Sequence, residues 1–277
     1  MAERWRTVRN NPIGALGGFI ILILLIVAAT AGVFAPYDPT AQITQPLQPP
    51  GGPFLLGSDE FGRDIVSRLL FGARISLYVG CVSVGIGLIV GGIVGVLAGY
   101  FGGRFEASTM RVVESVFAFP SLLLAIAISG ILGPSLTHAM LAIGIVFVPT
   151  YARLARASVL AVRSLDYITA AHTLGAGDWP IISRHVLPNI LAPLIVQTTL
   201  SLSGAILTEA SLSFLGLGTQ PPDPSWGTML GAGRRYMETA PWVAIAPGMA
   251  ITVTVLGFNL LGDGVRDLLD PMLRASN

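Results

Sequence analysis

Apolar residues come along this chain in long runs separated by short polar stretches. Six runs approach the roughly 20 residues that a helix needs to cross about 30 Å of hydrocarbon. They are residues 13–34, 75–100, 110–132, 139–151 with its flanks, 190–214 and 242–261. The pattern predicts an all-α polytopic membrane protein of about six transmembrane helices. The fourth run is the least regular, because Pro149 and Arg153 interrupt it. Polar or turn-rich stretches divide the chain into an N-terminus (1–12), a first span (13–34), a proline-rich segment (35–74), a membrane core (75–262) and a tail (263–277). The core contains two polar loops, 163–188 and 216–241.

The loop 163–188, RSLDYITAAHTLGAGDWPIISRHVLP, is the most polar part of the chain. Each charge at mid-bilayer costs roughly 2.5–3.5 kcal/mol even on an insertion scale, so this stretch belongs in water. Its local grammar is helix, turn, helix. Asp166 is placed to cap a first helix, with Leu165, Ile168, Ala171 and Leu174 following at i+3 steps. Gly175-Ala176-Gly177 ends it, since glycine enters the left-handed C-cap conformation without steric penalty. Asp178 then starts a short second helix with Pro180 in its first turn and Ile181, Ile182, His185 and Val186 on one face before Pro188. Two short amphipathic helices at an angle make a knob, and a knob needs a socket on another protein.

Within the spans, Gly87, Gly91, Gly95 and Gly99 recur every fourth residue, with Ser83 extending the row. They share one helical face and predict close packing of another helix. Arg111 and Glu114 stand at i+3 and predict an interfacial ion pair. Glu209 lies inside the fifth run, so it is a candidate for lining a path or gate, weighed against a carboxylate that binds helix ends or a loop. Trp226 and Trp242 suit a membrane-interface belt, and the single Cys81 suits a buried, inert thiol. The first span, preceded by Arg4, Arg6 and Arg9, is too long for a signal-peptide core and reads as retained.

Composition agrees with membrane embedding: 53% of the 277 residues are hydrophobic, 11% are charged, and the mean hydropathy is +0.74. All 16 basic side chains are arginine. With the N-terminus inside, eleven arginines fall on cytoplasmic segments and five outside, which makes both termini and the 163–188 loop cytoplasmic. The absence of lysine excludes a Walker A phosphate loop and a Schiff-base enzyme. His138, His172 and His185 have no metal-ligand spacing, and no basic cluster suits nucleic acid. A secondary transporter or channel would need coupling charges or inverted repeats, for which one glutamate is thin support; an intramembrane enzyme would need a catalytic pair.

The loop resembles the EAA loop of ABC-importer permeases. The family's Glu-Ala-Ala, Gly and Ile-x-Leu-Pro fall on Thr169-Ala170-Ala171, Gly175 and His185-Val186-Leu187-Pro188, with spacing kept and with Thr169 and His185 replacing the family's Glu and Ile. Residues 57–64 and 67–74, with 209–218 and 258–264, resemble the C-type subunit of the dipeptide/oligopeptide permease family over nearly the whole chain. The resemblance implies the type I ABC-importer permease fold in an inner membrane and no cofactor in this chain. It also implies a second permease, two cytoplasmic subunits that bind ATP and magnesium, and an extracytoplasmic binding protein. By the same resemblance the loop docks on the ATPase through Asp166, Thr169, Ala170, Ala171, Leu174, Gly175 and Asp178. The implied cargo is peptide, with nickel complexes, glutathione and oligosaccharides carried by relatives.

Overall fold

A computed structural model describes residues 11–269; Arg4, Arg6, Arg9 and Arg274, counted above among the arginines, lie outside them. Among the described residues the secondary structure is helical, with two isolated bridges in the segment after the first helix. Five helices are long and apolar enough to span a membrane, six if a bent pair is one span.

Helix α1 (Pro12–Phe34) starts at Asn11, whose side chain accepts from Gly14 N and donates to Gly264 O near the far end of the chain. It packs on α9 (Trp242–Leu269) through small residues: a Cβ on Gly17 would stand 2.3 Å from Leu261 N. Helix α2 runs over Ile65–Phe101, beginning ten residues before the predicted Ile75. Asp64 caps it, accepting from Ser67 N at 2.7 Å. At 37 residues and about 1.5 Å per residue, α2 is roughly 55 Å long and outreaches the hydrocarbon.

The third apolar run is not one straight span. It forms α3 (Gly103–Phe117) and α4 (Ser121–Leu132), bent by 88°. Pro120, in extended backbone, has no N–H to continue the helix, and its ring disfavours helical backbone at Phe119. Across the bend the Arg153 guanidinium lies 3.5 Å from the Phe117 ring centre, and Arg156 pairs with Glu106 at 2.5 Å. The ion pairs among the described residues do not include the predicted Arg111 with Glu114.

Helix α5 (Leu136–Arg163) runs straight through Pro149, so the short fourth run is the middle of a 28-residue helix with polar flanks. Helix α6 (Asp166–Thr173) follows at once. The short second helix predicted for the polar loop is the N-terminal part of α7, continuous over Asp178–Phe214. A π-helical stretch at Ile182–Val186, closed by Leu187 N donating to Ile182 O, takes up Pro188, which an unbroken α-helix would accommodate poorly.

At the end of the molecule away from the polar loop, residues 35–64 fold over α2 without regular structure. Asp59 holds Arg63 Nε at 2.6 Å and Arg68 Nε at 3.3 Å, all three side chains being buried. Arg68 also donates to Pro39 O and Pro222 O, joining this segment to the loop before α8 (Trp226–Gly233). Trp226 is buried rather than set in an interfacial belt: its indole N–H donates to Leu69 O, and its ring fills the space beside Gly72. Cys81 is exposed on α2, not buried as expected.

Candidate functional site

The polar loop has two faces. Ile168, Ile181, Ile182 and Val186 are buried in the main core, with Ala171 and Ala176 half-buried against it. Away from that core the loop is open: Leu174 is 87% exposed, beside exposed Leu165, Tyr167, Asp166, Thr169, Ala170 and Asp178, while Trp179, 66% exposed, lines an apolar groove with Leu88, Ile89 and Ile93 of α2. The i+3 pattern therefore mixed two faces. Leu165 and Leu174 point away from Ile168, and Ala171 faces the chain's own core rather than outward.

Asp166 is not the N-cap. Leu165 is, with no side-chain bond, and Asp166 stands in the first turn, where its charge complements the helix dipole. The end of α6 follows the expectation more closely. Gly175 has φ +84°, its N–H meets His172 O at 2.9 Å, and Ala176 N meets Ala171 O at 3.1 Å. These two bonds form a Schellman stop, which fixes the direction of the chain into α7. Asp178, the first residue of α7, accepts from Tyr100 Oη at 2.9 Å, and the same oxygen lies 3.4 Å from His172 Nε2. Tyr100 ends the last full turn of α2, and nothing in its apolar surroundings marked it in the sequence.

The glycine row of α2 lies against α5. A Cβ would stand 2.6 Å from Phe147 Cβ at Gly87, 2.4 Å from Val148 O at Gly91, 2.2 Å from Ala152 O at Gly95 and 3.0 Å from Arg156 O at Gly99. Ser83 extends the contact, donating to Met140 O at 3.1 Å. The loop's entry helix is thereby locked to the helix that carries Tyr100. Where α3 and α4 bend apart, a cavity of about 430 Å³ opens toward α5 and α7, lined by Phe117, Phe119, Phe147, Thr150 and Thr208 among others and by no charged group. Glu209 is elsewhere. It is fully buried in α7, its Oε1 accepting from Ser213 Oγ at 2.6 Å, and that hydroxyl in turn accepts from Thr219 N. It ties the end of α7 to the following loop.

No group of three or more His, Cys, Asp or Glu side chains able to hold a metal occurs among the described residues. Long apolar helices, a bent pair beside an uncharged cavity and a helical knob with an open face define a membrane transport subunit. The chain belongs to the family described as "Binding-protein-dependent transport system inner membrane component", whose model matches residues 91–275; residues 1–50 match the "N-terminal TM domain of oligopeptide transport permease C". It is 49% identical to the "Di/tripeptide transport system permease protein DppC" of Pseudomonas aeruginosa, over 99% of this chain and 93% of that protein. To the "Glutathione transport system permease protein GsiD" of Pectobacterium atrosepticum it is 43% identical, over 99% and 91%. The fold is similar to that of a chain in the inward-facing MetNI methionine ABC transporter, with a TM-score of 0.61 at 20% identity, over 74% of this chain and 98% of that one.

The protein is thus a multi-pass inner-membrane permease subunit of a bacterial ABC importer, and ATP hydrolysis belongs to partner subunits. Membership implies another permease and ATPase subunits beside it.

Proposed function

We propose that this chain forms half of the translocation path of an importer for di- or oligopeptides and couples to cytoplasmic ATPases through the 163–188 loop. The observation that carries the coupling role is the open face of that loop. Leu165, Tyr167 and Leu174 are apolar side chains exposed on a segment too polar to lie in lipid, so a protein surface is their natural cover. Asp166, Thr169, Ala170 and Asp178 share the exposed face, while Gly175 sets its angle and Ala171 supports it from beneath.

The arginine distribution supports cytoplasmic termini and a cytoplasmic loop, leaving the Asp59–Arg68 end to meet an extracytoplasmic binding protein. The peptide cargo is supported by the di/tripeptide relative at 49% identity. The uncharged cavity at the α3–α4 bend suits a path: threonine hydroxyls and aromatic rings allow a peptide to pass without an ion pair to hold it.

The test is reconstitution of the permease pair, ATPases and binding protein in vesicles, with uptake measured over a panel of peptides, glutathione and a nickel chelate. Peptide uptake that requires internal ATP is expected; selective uptake of another class would overturn the cargo. Ala170→Trp, on the exposed face, is expected to abolish co-purification of the ATPases with the chain still inserted. Full co-purification would overturn the docking role.

A further inference from the structure

Tyr100 occupies a position that none of the docking residues shares. It is 4% exposed, at the inner end of α2, and its hydroxyl reaches both sides of the turn in the polar loop. On one side it donates to Asp178 Oδ1 at 2.9 Å, at the start of α7; on the other it lies 3.4 Å from His172 Nε2, in the last turn of α6, with the two rings stacked. Between these partners the chain is Thr173 to Gly177, including two glycines. A Cβ on Gly175 would meet nothing within 4 Å, and one on Gly177 only the ring edge of Pro180 at 3.8 Å, so side-chain packing at these glycines does little to hold the angle between α6 and α7. The phenol bridges that angle from beneath.

We propose that Tyr100 is the positioning residue through which a push on the polar loop reaches α2. The inference rests on the reading that the loop seats in the ATPase. A displacement of α6 already passes by covalent connection into α5, and one of the α7 start into the rest of α7. Without Tyr100 those two paths are joined through the Schellman turn alone, with no hydrogen bond to hold them to α2. With it, α6 and the α7 start are bound to one point on α2, which the glycine row locks to α5 along four contacts. Loop, α2, α5 and α7 then move as one body.

The Tyr100–Asp178 bond suits this role because its loss costs the fold little. Asp178 is exposed and regains water when the phenol is removed, and Phe keeps the packed ring. What is lost is a charge-assisted tie, and a bond of that kind is enough to change the population of a correctly angled loop by about five- to thirtyfold.

The experiment uses the complete reconstituted importer and reads three quantities: ATPase co-purification, ATP hydrolysis, and substrate taken up per ATP. Tyr100→Phe is expected to keep co-purification within about twofold, as the exposed docking face is untouched, and to lower uptake per ATP by about fivefold or more. Asp178→Ala, measured on the complexes that do form, is expected to lower the same ratio, and Tyr100→Phe added to it should lower it no further, as two ends of one interaction must. A merely structural role would reduce the amount of complex and leave the ratio intact. If Tyr100→Phe gives the wild-type ratio, or if the two substitutions multiply, the inference is overturned. Should Tyr100→Phe fail to accumulate, Asp178→Ala alone decides, since an exposed residue at a loop does not control insertion: a wild-type ratio there overturns the inference. Full co-purification by Ala170→Trp would instead overturn the docking reading itself, whatever Tyr100 does.

Discussion

Arg68 Nε lies 3.3 Å from Asp59 Oδ2 with both side chains buried, and the same carboxylate oxygen holds Arg63 at 2.6 Å. Two guanidinium groups on one carboxylate are stable out of water only while the carboxylate is there. Asp59→Ala would leave Arg68 without its carboxylate and Arg63 with Glu60 alone at 3.7 Å, and would remove the acceptor that Phe61 N and Arg63 N share, at about 3–5 kcal/mol. Thermal unfolding of the purified complex should show an earlier transition. Because Arg68 joins residues 35–64 to the loop before α8, Asp59→Ala is also expected to weaken binding-protein association, and unchanged association would separate the two effects.

Gly95→Leu puts a branched side chain where even a Cβ would stand 2.2 Å from Ala152 O. Backbone cannot yield as a flexible side chain does, and overpacking costs about 1–3 kcal/mol or more. The variant, and Gly91→Leu with it, should accumulate poorly or fail to assemble with the second permease. Gly92, whose Cβ would meet nothing within 4 Å, is the control: Gly92→Ala should assemble normally. Equal assembly by all three would show that α2 and α5 do not pack in this way.

Glu209→Gln keeps shape and keeps an oxygen for Ser213 Oγ, so uptake and membrane level are expected within about twofold of wild type. Glu209→Leu removes the acceptor from a buried hydroxyl and should cost about 1–3 kcal/mol, seen as a lower melting transition. A large loss of uptake in Glu209→Gln at full membrane level would return Glu209 to the path. In that event uptake should also be tested at fixed ATP with the proton gradient collapsed; persistence is expected for an ATP-driven importer.

Gly175→Val asks a β-branched residue to hold φ +84°, costing about 1–2 kcal/mol in left-handed strain. No neighbour lies within 4 Å, so the strain acts on the angle of α6 against α7 rather than through a clash. The variant should insert normally and either bind the ATPases weakly or hydrolyse ATP without uptake. Wild-type values in both co-purification and uptake would count against the turn as a coupling element.

The spans and the turn of the polar loop were legible because they rest on local rules: long apolar runs, and a glycine where backbone must enter the left-handed region. The glycine row was legible for the same reason, since its spacing matches the helix period. Element limits were harder wherever polar residues are satisfied by tertiary partners. Residues 65–74 look like loop because Arg68 and Arg74 are charged, yet Arg68 is neutralised by Asp59, and Arg74 donates to Ala29 O and Ala28 O of α1. The break in the third run was marked only by Phe119-Pro120, and nothing local to it gave the size of its 88° bend. The two faces of α6 were misjudged because a three-residue step drifts around a helix of 3.6 residues per turn. Tyr100 could not be read at all: its partners lie 72 and 78 residues away.

The contact between α2 and α5 brings one helix against the backbone of the other at three glycines. At Gly91, Gly95 and Gly99 the nearest atoms opposite are the carbonyl oxygens of Val148, Ala152 and Arg156, which every amino acid supplies. At these three points the interface constrains α2, while α5 is constrained at other positions: a Cβ on its Gly144 would stand 2.8 Å from Ile86, and Ala155 is fully buried beside Gly95. Arg156 shows the freedom this leaves: its carbonyl faces Gly99 while its guanidinium is spent on Glu106. In a saturation scan of both helices, tolerance should be lopsided, near zero at the three glycines and broad at Val148. Where α5 meets α2 by its carbonyls alone, its side chains can change to suit a new cargo or a new partner without rewriting the helix it leans on.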